Sequence, residues 1–70
     1  MQDQKWLDDW KTNQTFSDVA TMNKKVFKEV LPQYPGCQMK MGPNHTGNFY
    51  VVEALNQFGK RVAQVSFPMK

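Results

Sequence analysis

Crosslinks, membrane spans and catalytic side chains are all scarce in this chain of 70 residues. Its one cysteine, Cys37, excludes an internal disulfide. No apolar run approaches the roughly 18–20 residues that a transmembrane helix needs, so no membrane partner is expected. Met1 to Trp10 is polar and acidic where a secretory leader is basic and then apolar, and the expected location is cytoplasmic. Without a leader, the triplets Asn13-Gln14-Thr15 and Asn44-His45-Thr46 read as chance matches to the glycan acceptor pattern.

Chemistry-bearing residues are equally thin. The one histidine, His45, lies in a Gly/Pro/Asn stretch with no evident carboxylate to orient its ring, and the acidic residues are scattered. Cys37, Met39 and Met41 with His45 nearby form a soft donor set of the kind that suits Cu(I). Their alternation with Gln38 and Lys40 is better read as a strand that turns its sulfur side chains into a core. The expectation is therefore no enzyme, no metal and no cofactor. There is no internal repeat, low-complexity tract or linker, and no resemblance to a known family emerges.

What the chain does have is apolar content, at 40% hydrophobic and 13% aromatic residues, enough for one small domain spanning residues 1–70. Charge is uneven. Lys5 and Lys11 stand against Asp3, Asp8, Asp9 and Asp18 in the first twenty residues, whereas the remainder is basic and brings the net charge to +3. That balance suits an acidic protein, a nucleic acid, or simple solubility.

The pattern predicts five elements. A short helix from about Asp3 to Lys11 gathers Trp6, Leu7 and Trp10 on one face and needs a surface to dock on. A second helix, with Thr15 as N-cap and Asp18 in its first turn, carries Phe16, Val19, Ala20, Val26, Phe27, Val30 and Leu31 on its apolar side. Lys24, Lys25 and Lys28 fall opposite, Asn23 interrupts the apolar stripe, and Pro32 ends the helix. Cys37 to Met41 alternates as a first strand. Phe49 to Leu55 and Arg61 to Phe67 flank the turn Asn56-Gln57-Phe58-Gly59 as a β-hairpin.

With Leu55 opposite Lys60, Val52 opposes Ala63 and Tyr50 opposes Val65. One hairpin face then holds Tyr50, Val52, Ala54, Ala63 and Val65, and the other Phe49, Val51, Val62, Gln64 and Ser66. The expected fold is α+β, in the order α-α-β-β-β, with helices on a three-stranded antiparallel sheet. The pattern leaves open whether the first helix joins the second or wraps to the other face.

Apolar residues on both faces of so small a sheet suggest an interface. The leading expectation is a non-enzymatic binding module, an inhibitor or regulator that occupies the surface of a larger protein. Its candidate contacts are Trp6, Trp10, Phe49, Val51 and Val62, with Tyr34 and Arg61 as further anchors. An alternative is a basic nucleic-acid-binding protein using Lys24, Lys25, Lys28, Lys40 and Arg61. No zinc-finger spacing or RNA-binding motif supports it, and the helix lacks the turn a helix-turn-helix requires. A third is a homo-oligomeric structural component joined through a sheet edge, either Cys37–Met41 or Arg61–Phe67.

Overall fold

In the computed structural model, which describes residues 1–69, Asp3 opens the first helix. Its carboxylate accepts the Trp6 N–H at 3.1 Å, satisfying an amide that the first helical turn leaves without a partner. Helix α1, Gln4–Thr12, buries Leu7 and Trp10, three residues apart on one face. The Lys5–Asp9 ion pair lies on its wet side at 3.1 Å.

The second helix starts later than the pattern suggests. Asp18, not Thr15, is its N-cap, accepting the Thr21 N–H at 2.8 Å and the Thr21 hydroxyl at 3.2 Å. Those two bonds hold the Asp18 carboxyl below its ordinary range. An ionised acceptor is the stronger cap of the two candidates. The connection therefore includes Phe16, which packs over Tyr50 and Phe67 with ring centroids 5.4 and 6.3 Å away.

Helix α2, Val19–Lys25, runs into a π-helical turn, Val26–Val30, and a 3-10 turn, Leu31–Gln33, that contains Pro32 instead of stopping before it. Met22, Val26, Val30 and Tyr34 are buried, four residues apart. Four residues of α-helix advance about 400°, overshooting a full turn by about 40° each time. The wider π turn removes that drift and keeps the stripe on the sheet. Phe27 and Val19, placed on the apolar stripe by a strict 3.6 period, face outward instead, and Phe27 is 51% exposed.

Three strands follow, β1 (Gln38–Pro43), β2 (Phe49–Leu55) and β3 (Arg61–Pro68), antiparallel in the order β1-β2-β3. The chain is thus an α+β fold in the order α-α-β-β-β. Gly59, at φ 77° in the β2–β3 turn, supplies the backbone conformation that side chains resist, and the Asn56 N–H donates to the Lys60 carbonyl at 2.8 Å. Next to that turn the register differs from the expected one by one residue, with Leu55 opposite Arg61, and past an irregularity at Ala54/Leu55 it differs by two: Val52 opposes Val65 and Tyr50 opposes Phe67. A shift of two preserves the faces, so Tyr50, Val52, Ala54, Ala63 and Val65 still share one side.

Both helices cover that side. Leu7, Trp10, Met22, Val26, Val30 and Tyr34 form one cluster with Tyr50, Val52, Ala54, Ala63, Val65 and Phe67. Its polar atoms are matched. Trp10 Nε1–H donates to Glu29 at 3.0 Å, the Tyr34 hydroxyl donates to the Asp3 carbonyl at 2.9 Å, and the Tyr50 hydroxyl donates to Asn23 Oδ1. Asn23 thus takes its partner from the sheet. Burial raises both tyrosine pKa values above 10, with Asp3 and Asp8 adding to the effect at Tyr34.

Candidate functional site: the uncovered face of the sheet

With both helices on one side, the other side of the sheet has no covering layer among the described residues. It is built on β2, whose burial alternates, leaving Phe49, Val51, Glu53 and Leu55 less covered than the residues between them. Phe49 is 42% exposed. Phe49, Val51 and Leu55 belong neither to the core cluster nor to the hydrophobic residues packed against it. They form an apolar row along the middle strand, interrupted by Glu53.

The charged groups on this face come from the neighbouring strands. Lys40 lies opposite Glu53 on β1, yet the Glu53 carboxylate is taken by Arg61 of β3 at 3.3 Å. The bulge arranges this. An unbroken register would set Val62 opposite Leu55, whereas the extra residue sets Arg61 there. Arg61 reaches across to Glu53, and Val62 is half-buried against the core cluster. Val62 is therefore removed from the uncovered apolar row. Among the described residues, Lys40 has no carboxylate within ion-pairing distance.

Gly42 sits opposite Val51 on β1, and the space a side chain would occupy there is empty. An open cleft of about 350 Å³ results, lined by Lys40, Gly42, His45, Val51 and Glu53 among others. His45 is exposed at its rim.

The five candidate protein contacts separate. Phe49 and Val51 lie together on the uncovered face. Trp10 is a core residue on the other side, edge-on to Phe67 at 6.2 Å, and Trp6 packs edge-on to Tyr34 at 6.1 Å. Tyr34 itself is fully buried. The candidate phosphate contacts separate too. Lys24, Lys25 and Lys28 are on the helical layer, with Lys25 bound to Gln14 at 3.2 Å, while Lys40 and Arg61 are across the sheet. Cys37, Met39 and Met41 pack against the core cluster, as the alternation of that strand implies, and His45 stands apart in the loop.

Gln4 was not visible as a functional residue, and it determines the condition of one sheet edge. Its amide donates to the Gln64 carbonyl at 2.7 Å and accepts the Gln64 N–H at 2.8 Å, closing the outer side of β3 at that residue as a neighbouring strand would. The contact joins residues 60 apart in sequence, so no local pattern announces it. Among the described residues no helix is long and apolar enough to cross a membrane. Comparison with family models, with curated proteins and with solved structures finds no match for this chain.

Proposed function

We propose that this protein is a non-enzymatic binding module that inhibits or regulates a larger protein by seating the uncovered face of its sheet on that protein's surface. The observation that carries the reading is the one-sided architecture. Both helices spend their apolar faces on one side of the sheet, while Phe49, Val51 and Leu55 remain in a row on the other. A row of apolar side chains framed by Lys40, Arg61, Gln64 and Ser66 has the composition of an interface centre with a polar rim.

Phe49→Asp and Val51→Asp test it. Neither residue takes part in the core, so circular dichroism and the melting temperature should match those of the wild type. Capture of the protein partner from the source cells, after nuclease treatment, should be lost. Removing an interface anchor costs on the order of 2 kcal/mol, roughly thirtyfold in affinity. Undiminished capture by both variants refutes this face as the interface, and capture that vanishes on nuclease treatment replaces the protein partner with nucleic acid.

A further inference from the structure

The two edges of the sheet differ at their outward residues: β3 is closed at Gln64 and open at Ser66, and β1 has no such closure among the described residues. Hydrogen bonding alternates along an antiparallel pair, so each edge strand turns every second N–H and C=O outward. On β3 the Met69 N–H donates to the Asn48 carbonyl at 2.8 Å, which places Gln64 among the outward residues, and Gln4 satisfies both of its groups. On β1 the Asn44 N–H donates to the Phe49 carbonyl at 2.8 Å, so Met39 and Met41 are the outward residues. No hydrogen bond from the described residues reaches either of them from outside the sheet.

We infer that the outer edge of β1 accepts an extended segment of a partner protein as a fourth strand, with an acidic residue of that segment opposite Lys40. The inference rests on the docking role proposed above and specifies its mode. Four observations select the occupant. Lys40 projects on the uncovered face, lies between the two outward residues, and has no carboxylate partner among the described residues. Met39 and Met41 point to the core side and are half-buried, so they offer adaptable apolar contact to the residues on either side of the acidic one. The segment therefore reads apolar–acidic–apolar.

A second copy of this chain fits poorly at the same edge. Pairing Met39 with Met41 of the copy sets Lys40 against its own image. Pairing Met41 with itself sets Met39 against Pro43, which has no N–H. Pairing Met39 with itself sets Met41 against Cys37, whose N–H already donates to the Tyr34 carbonyl at 3.1 Å.

Titration of the ¹⁵N-labelled protein with end-blocked peptides decides the matter. A peptide alternating valine and glutamate should shift the Met39 and Met41 amide signals and slow their hydrogen exchange, and its lysine counterpart should bind about tenfold or more weakly. Lys40→Glu should reverse that preference. Met41→Pro removes one outward N–H without touching the ladder to β2 and should abolish binding by either peptide. Equal affinities for the two peptides, no response at millimolar peptide, or perturbation confined to Phe49 and Val51 overturns the inference. If the partner is lost with Phe49→Asp but held by both Met41→Pro and Lys40→Glu, the face is an interface and the edge is not.

Discussion

Replacing Gln4 probes how much the closed edge contributes. Gln4→Ala deletes both bonds to the Gln64 backbone, at 2.7 and 2.8 Å, and the contact from its amide to Asp8 at 2.8 Å. Each hydrogen bond contributes about 0.5–1.5 kcal/mol net, and the exposure of this side chain puts the pair at the low end, about 1 kcal/mol. For a chain of this size that corresponds to a fall of about 4–8 °C in melting temperature.

Gln4→Glu is more discriminating, because an ionised carboxylate keeps the acceptor for the Gln64 N–H but sets negative charge against the Gln64 carbonyl. Protonation restores the donor. The introduced group thus has a folded-state pKa raised above the usual value of about 4.3, so its stabilising contact is intact below that value and lost as pH rises through the folded pKa. The melting-temperature gap to the wild type should be small at acid pH and widen toward neutrality. The Gln64 amide should exchange faster in Gln4→Ala, as followed by NMR. Unchanged exchange there, with a gap for Gln4→Glu that ignores pH, would refute the clamp.

Tyr50→Phe leaves Asn23 Oδ1 without its donor and should cost about 1 kcal/mol, read from the urea midpoint. Because burial raises the Tyr50 pKa, the wild type keeps this contribution below pH 10 and loses it as pH rises through the folded value, so the variant should show a shallower alkaline decline. Trp10→Ala removes a core residue together with its bond to Glu29 and should cost roughly 3–5 kcal/mol, enough to leave the chain largely unfolded by circular dichroism at room temperature. A folded Trp10→Ala that loses only partner binding would instead make Trp10 a contact residue.

The order of elements was legible because each was announced by its own local period: Leu7 and Trp10 at helical spacing, Tyr50, Val52 and Ala54 at strand spacing. Misreadings arose where two local signals competed. Thr15 and Asp18 are both capping residues, and the charged one prevails, which moves Phe16 out of the helix and over the core. The bulge in β3 is equally hidden, since Arg61-Val62-Ala63 alternates acceptably in either register and only the pairing shows that Arg61 faces Glu53.

The side of the sheet on which α1 settles depends on contacts with no local trace. Tyr34 bonds to the Asp3 carbonyl and Gln4 to Gln64, across separations of 31 and 60 residues. The uncovered row of Phe49, Val51 and Leu55 follows from that choice, and so was visible in the sequence only as a surplus of apolar strand residues.

The π turn at Val26–Val30 fixes the rotational phase of the second helix. It accommodates one residue more than an α-helical path over the same stretch, so rewinding it as ordinary α-helix with every residue kept would push that extra residue into the turns that follow. That rewinding would rotate everything downstream by about 100°. Val30 and Tyr34 would swing off the sheet, and with them the hydroxyl that ties the amino-terminal segment in place. The least conventional turn of the helix thus acts as the spacer that keeps both ends of the domain in phase.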